Sequence, residues 1–236
     1  MKVTPPVGPF AHTRYQFTTG LRAGEVATIR GDEGEVLLSY RSFASVIGIV
    51  ATLVSAIVCA AGIAAAIFLL YDKDPLRALA ALLLTSVFAF FIGLLVPRVQ
   101  VTLYDDGHPA LTLSQRTAFP AACYVVSTPN GTSLADLRKT FLSRLGRNRW
   151  TIVQEGRMIG EAAEESFGRA LVRKFLGKFH RRFETNLPIE HGGLEVGRIV
   201  RRPESDGRTD MLELTQDALD RRVAVALALL VLGREP

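Results

Sequence analysis

Two uncharged apolar windows place the strongest constraint on how this 236-residue chain can fold. The windows run from Ser42 to Tyr71 and from Ala78 to Pro97, and 40 of their 50 residues are hydrophobic. A helix rises 1.5 Å per residue and a bilayer core is about 30 Å thick, so each window is long enough to span a membrane. We therefore predict a transmembrane helical hairpin over residues 42–97, with helices at about 44–70 and 76–96.

Small residues recur at intervals of four in both windows. Helices in lipid associate where small side chains let their backbones approach closely, so these stripes are predicted to join the two helices or to hold a homo-oligomer or a protein partner. The stripes are Gly48, Thr52, Ala56, Ala60 and Ala64 in the first helix, and Ala81, Thr85, Ala89 and Gly93 in the second. Neither window contains an ionisable residue, which favours an anchor over an ion pathway or a proton relay.

The distribution of Lys and Arg predicts the orientation of the hairpin. The loop between the windows contains two, Lys73 and Arg77, whereas five precede the first window and 21 follow the second. Because flanks rich in Lys and Arg stay in the cytoplasm, we expect a two-span integral membrane protein with both termini cytoplasmic. A signal peptide is not expected, because the first apolar run begins only after Arg41, behind a polar and strand-like segment.

Turn signals divide the polar sequence into short β-rich runs. An acid or Asn beside Gly separates two such runs at five places: Asp32-Glu33-Gly34, Asp106-Gly107, Asn130-Gly131, Glu155-Gly156 and Asp206-Gly207. Five hairpins imply about ten strands, enough to close an antiparallel barrel. We expect the N-terminal strands in residues 1–41 to belong to the same cytoplasmic barrel as residues 98–236. Trp150 opens a predicted strand and is expected to pack inside that barrel.

Two segments of the polar sequence are predicted to be helical. Ser133 with Asp136 resembles a capping box, and Gly146 is a suitable stop. The apolar residues between them are Leu134, Leu137, Phe141 and Leu145. The second segment runs from about Ala163 to Phe179, with an aromatic and aliphatic stripe beside basic residues.

The C-terminal part contains ten consecutive apolar residues, Val223 to Leu232, behind two possible caps, Asp217 and Asp220. Ten helical residues extend only about 15 Å, too short for a bilayer, and a helix without a polar face is buried on all sides. We predict a core helix over residues 218–232 with a closed sheet around it. The predicted fold class is mainly β with α: a closed antiparallel β-barrel around a buried C-terminal hydrophobic helix, plus the transmembrane hairpin.

This combination resembles the tubby-like fold shared by phospholipid scramblases and LURP-one-related proteins. The segments that carry the resemblance are Val101 to Gly107, Tyr124 to Gly131, Asn148 to Ile152, and Met211 to Leu214 continuing into Asp220 to Ala224. The resemblance implies a lipid-facing role, since scramblase-like members move phospholipids between leaflets and tubby members bind phosphoinositides.

The chain also departs from the scramblase pattern. Its membrane helices lie in the middle of the sequence, and its only cysteines, Cys59 and Cys123, are expected to be buried apolar residues rather than lipidation sites. The acids before the terminal helix lack the spacing of a calcium loop, so helix capping is the expected role. These acids are Asp210, Glu213, Asp217 and Asp220.

Positive charge is concentrated in one stretch. From Arg138 to Arg182 there are 12 Lys and Arg against four acids, although the whole chain carries only +5. Near a membrane, each such side chain contributes about 1 kcal/mol of attraction to anionic lipids. The candidate headgroup-binding residues are Arg138, Lys139, Arg144, Arg147, Arg149, Arg169, Arg173, Lys174, Lys178, Arg181 and Arg182. A solvated structural face is the alternative interpretation. Nucleic acid is not expected, because no recognised binding motif accompanies the charge.

Catalytic and metal motifs are missing from the sequence. The histidines His12, His108, His180 and His191 lack metal-ligand spacing, and there is no nucleophile elbow or Walker loop. We therefore expect no enzymatic activity, metal or cofactor. The leading hypothesis is a membrane-anchored protein that binds or organises anionic phospholipids, with lipid scrambling implied by the resemblance. The alternative is a membrane-anchored protein-interaction scaffold with neither lipid transport nor catalysis.

Overall fold

The computed structural model describes residues 8–18, 26–96, 99–140, 143, 148–164, 185–201 and 210–232. The strands are β1 (Arg14–Phe17), β2 (Val26–Arg30), β3 (Val36–Ala44), β4 (Val99–Asp105), β5 (His108–Thr117), β6 (Ala121–Ser127), β7 (Ser133–Thr140), β8 (Arg149–Gln154), β9 (Arg157–Ala163), β10 (Thr185–His191), β11 (Leu194–Arg201) and β12 (Asp210–Leu214). The α-helices are α1 (Val46–Tyr71), α2 (Pro75–Leu95) and α3 (Arg221–Leu232).

The twelve strands form one closed antiparallel barrel, which confirms the predicted sheet architecture. Each strand pairs with its neighbours in sequence, and β1 closes the barrel against β12. Two of the predicted turns contain the left-handed residues that two-residue hairpins need, such as Asp106 and Gly107 with φ of 46° and 83°. The turn predicted at Asp206-Gly207 lies outside the described residues.

One buried apolar cluster contains residues of both the strands and α3. Strand residues from all around the barrel, such as Ile29, Leu103 and Ile152, belong to the same buried cluster as Val223 to Leu232 of α3. Helix α3 contacts β1 and β12, and also β7, which lies opposite them in the strand order. At its start, the Arg222 backbone N–H donates to Asp220 Oδ1 at 2.9 Å.

Helices α1 and α2 form the hairpin inserted between β3 and β4, which pair with each other. Both helices are long and apolar enough to span a membrane, and only 11% and 6% of their most apolar windows are buried in the protein. Ser45 caps α1 by accepting from the Gly48 backbone N–H, and Asp74 caps α2 with Pro75 at its first turn.

As a seam with α2, the small-residue stripe predicted on α1 is largely wrong. Gly48 is buried, but Thr52, Ala56, Ala60 and Ala64 are exposed. The face that packs on α2 instead includes Gly62 and Ala66 as buried residues. A strict interval of four rotates about 40° per step around a helix, so a stripe of five residues leaves the contact face. On α2, the shorter run Ala81, Thr85 and Ala89 is partly buried.

The helix predicted from Ser133 is also wrong, because Ser133–Thr140 is strand β7. Ala135 and Leu137 are buried, whereas Asp136 and Arg138 face outward. This alternation is the two-residue period of a strand. Pairing with β6 along its length overrides the local helical signal. Ala163, where the second helix was predicted to start, ends β9, and 165–179 lies outside the described residues.

Candidate functional site at the hairpin end of the barrel

The barrel has two distinct ends, because antiparallel strands bring the chain back to the same end after every second strand. Odd-numbered strands finish, and even-numbered strands begin, at the end where β3 leads through Ser45 into α1. We call this the hairpin end, and the opposite end the turn end.

The connections at the two ends differ in charge. At the turn end they contain seven acids and no Lys or Arg; these connections are 31–35, 106–107, 128–132, 155–156, 192–193 and 215–220. Those at the hairpin end contain 12 Lys and Arg and six acids; they are 18–25, 96–98, 118–120, 141–148, 164–184 and 202–209. Each connection joins two strand ends that lie at the same end of the barrel. The basic connections therefore begin and end at the end to which the apolar helices are attached.

Three of the predicted headgroup-binding residues lie in described parts of the chain. Arg138 is on the outer face of β7, with its Nη2 3.0 Å from Asp136 Oδ2, and hydrogen bonding to that carboxylate raises the pKa of Arg138. Arg149 is exposed on β8 and donates from Nε to Glu161 Oε2 at 2.9 Å. Lys139 is on the inner face and only 5% exposed, so it is not part of the outer surface.

The other predicted residues lie outside the described residues. They are Arg144, Arg147, Arg169, Arg173, Lys174, Lys178, Arg181 and Arg182. The described strand ends that flank them are Thr140 and Arg149 for the first two, and Ala163 and Thr185 for the rest, and all four are at the hairpin end.

Two further arginines near the hairpin end were missed by the sequence analysis. Arg41 is exposed on β3, and its guanidinium carbon lies 5.1 Å from the centre of the Phe43 ring. Arg116 is exposed near the end of β5. Both fall outside the stretch with the highest local charge. Their closeness to the hairpin end follows only from their positions along β3 and β5.

A polar group lies inside the barrel at the same end. The Lys139 ammonium is 5.2 Å from the centre of the Trp150 ring, and that ring is 5.9 Å from Tyr124. Glu164 is 4% exposed, and its backbone N–H donates to the carbonyl of Asn148 at 3.0 Å. Trp150 is 1% exposed, which confirms that it packs inside the barrel.

The cysteines and acids offer little reactive chemistry. Cys123 is buried on β6, and burial is the main cause that raises the pKa of its thiol, while the nearby Asp136 raises it further. A raised pKa keeps the thiol protonated and unreactive. Among the described residues, no group of three His, Cys, Asp or Glu is placed to hold a metal ion.

Comparisons with models of protein families, with curated proteins and with solved structures find no match to this chain. The class defined by the fold itself is a closed twelve-strand antiparallel β-barrel with two long apolar helices inserted between adjacent strands.

Proposed function

We propose that this chain is a two-span integral membrane protein with a cytoplasmic barrel, and that the hairpin end of the barrel binds or organises anionic phospholipids. The observation that carries the proposal is the shared location of the apolar helices and the basic connections. Only Ser45 separates β3 from α1, so a membrane-embedded hairpin would hold the hairpin end at the headgroups. Basic residues attached there would then lie within reach of an anionic leaflet.

The packing of the hairpin supports its insertion in lipid. Helices in the core of a soluble protein are mostly buried, whereas α1 and α2 leave most of their apolar surface uncovered by protein. The exposed side chains include Ile57, Ile67 and Phe90. A bilayer would cover these surfaces, and the 26-residue α1, about 39 Å long, exceeds the hydrocarbon thickness.

The family interpretation belongs to the same proposal. A closed antiparallel barrel whose apolar C-terminal helix is buried agrees with a tubby-like or scramblase-like fold. Lipid scrambling is a further proposal that rests on this resemblance alone.

Charge reversal at the hairpin end tests lipid binding. The full chain carrying Arg173→Glu and Lys174→Glu would be purified in detergent and reconstituted in nanodiscs that contain phosphatidylglycerol and phosphatidylcholine. We expect enrichment of phosphatidylglycerol around the protein to fall by about tenfold or more, since each basic residue contributes about 1 kcal/mol and each new acid repels the lipid.

A matched control separates location from net charge. Arg30→Glu with Arg157→Glu makes the same charge change at exposed positions near the turn end, and it should leave the enrichment unchanged. Equal losses in both variants, or none in either, would contradict lipid binding at the hairpin end and favour the interaction scaffold.

A further inference from the structure

A group of exposed side chains lies on the outer wall of the barrel, next to the point where the chain enters α1. Arg41 and Phe43 are exposed on β3, whereas the residues on either side of Arg41 are buried, so both side chains point away from the interior. Val26 on β2 is 66% exposed and is paired directly with Arg41. We call Val26, Arg41, Phe43, Gln100 and Arg116 the outer patch.

The outer patch extends across four adjacent strands, β2 to β5. Phe43 pairs with the exposed Gln100 on β4, and Gln100 pairs with Ser114 on β5. Arg116 follows Ser114 by two residues toward the hairpin end and is exposed. Because neighbouring strands lie about 4.8 Å apart, the patch covers about 14 Å of the wall. It therefore lies on both sides of the place where the hairpin is inserted, between β3 and β4.

The level of the outer patch follows from its distance to α1. Phe43 precedes the helix cap Ser45 by two residues, which is about 7 Å along an extended strand. The Arg41 guanidinium carbon lies 5.1 Å from the centre of the Phe43 ring, so the charge is held close to that ring. A bilayer about 40–45 Å thick has a core of about 30 Å, which leaves about 5–8 Å of headgroups on each side. A hairpin that enters the core just after Ser45 holds both groups in that layer.

The charges of the outer patch differ from those elsewhere on the wall. Arg138 and Arg149, on β7 and β8, are each paired with a carboxylate. Arg41 and Arg116 form no ion pair with any residue that the structure describes. Their guanidinium groups lie beside exposed apolar surface, a combination that suits a ligand with an anionic group next to an apolar one.

We propose that the outer patch binds phospholipid by recognising the phosphodiester of the headgroup rather than the net charge of the lipid. Arg41 and Arg116 donate N–H groups to the phosphodiester, whose oxygens match the planar guanidinium fork. Phe43 and Val26 pack against the glycerol and the first carbons of the acyl chains. The ligand is a lipid of the leaflet next to the barrel, and the site rests on the proposed function, because only a spanning hairpin holds this wall at the headgroups.

A tryptophan placed in the outer patch reports on this contact. The chain carrying Phe43→Trp would be titrated in dodecyl maltoside with phosphatidylcholine that bears a nitroxide on its headgroup. We expect saturable quenching of the added emission. Trp150 is 1% exposed inside the barrel and contributes the same background to every variant. If Phe43→Trp does not fold, as checked by far-UV circular dichroism, Val26→Trp places the reporter in the same patch.

Tyr104→Trp is the matched control for the reporter. Tyr104 is also an aromatic residue of the wall, but on β4 it lies four residues beyond Gln100, or about 13 Å farther from the hairpin end. Its replacement should give no saturable quenching. Equal quenching at the two positions, or none at either, would overturn the proposal.

Competition and charge removal identify the group that is recognised. Unlabelled phosphatidylcholine should displace the nitroxide lipid, whereas diacylglycerol with the same acyl chains should not. Adding Arg41→Gln and Arg116→Gln should weaken binding by about tenfold or more, the effect of losing hydrogen bonds to a charged group. Arg30→Gln with Arg157→Gln, near the turn end, should leave the affinity unchanged. Equal displacement by diacylglycerol, or equal affinity in the two double variants, would overturn phosphodiester recognition.

Two further arms separate the source of the ligand and the two proposals. Soluble glycerophosphocholine that competed as well as the lipid would overturn a membrane source. The chain with Arg173→Glu and Lys174→Glu should lose phosphatidylglycerol enrichment yet keep the quenching of the patch reporter. Loss of both in that variant would overturn an independent outer patch. Quenching without any phosphatidylglycerol enrichment in the wild type would contradict anionic-lipid binding and support the outer patch.

Discussion

At the scale of single residues, burial inside the barrel changes the acid–base behaviour of Tyr15. This side chain is 0% exposed, and burial raises the pKa of its hydroxyl from 10.0 to about 12, although the nearby Arg221 acts in the opposite direction. The charged phenolate is poorly solvated there, so the folded protein holds its proton at a pH where the unfolded chain releases it. Lys139 and Glu164 are also buried polar residues of this largely apolar interior.

Tyr15 therefore predicts a loss of stability in alkali. Above pH 10 the unfolded state binds fewer protons than the folded state, so the free energy of unfolding falls as the pH rises toward 12. The contribution is fully present below pH 10, and roughly 2 kcal/mol of it is lost by pH 12. In Tyr15→Phe this loss should disappear, as measured by thermal unfolding of the detergent-solubilised chain between pH 9 and pH 12. Parallel pH profiles for the variant and the wild type would contradict this account.

At the scale of elements, the sequence correctly predicted those features that depend only on adjacent residues. Asp106-Gly107 defines a hairpin because positive φ at adjacent residues is a property of the turn itself. The β7 prediction failed because the spacing of Leu134 and Leu137 matches one face of a helix, whereas on the strand the two side chains lie on opposite faces and pairing with the neighbouring β6 decides the conformation. Arg41 and Arg116 escaped notice for a related reason, since register alone brings them to the same end of the barrel.

The hairpin seam makes an element-scale prediction at Gly62. A Cβ at this position would overlap the side chain of Thr85, so Gly62→Leu cannot be accommodated unless the helices separate. We expect it to destabilise the hairpin by about 1–3 kcal/mol, seen as earlier thermal unfolding in detergent. Ala64→Leu is the matched control, because Ala64 is two residues away on the same helix and exposed. A similar shift in both variants would contradict the seam.

At the scale of the whole molecule, charge and topology make the two ends of the barrel different. The connections that join strands at the turn end are acidic in sequence, and those that join strands at the hairpin end, where α1 and α2 are also attached, are basic in sequence. Neither pattern can be read along the sequence, because the antiparallel strand order is needed to assign each connection to one end of the barrel. This polarity predicts that the barrel stands end-on to the membrane, with its turn end toward the cytoplasm.

That orientation can be tested with single cysteines. Cys59 and Cys123 would be replaced by Ala, and Cys introduced either at Lys73, between α1 and α2, or at Glu33, in the exposed β2–β3 turn. In intact cells, a membrane-impermeant maleimide should label Lys73→Cys but not Glu33→Cys, because a spanning hairpin places its loop across the bilayer from the barrel. In inside-out vesicles the pattern should reverse. If both positions are labelled from the same side, the hairpin does not cross the membrane, and the positioning of the basic end against an inner leaflet is lost with it.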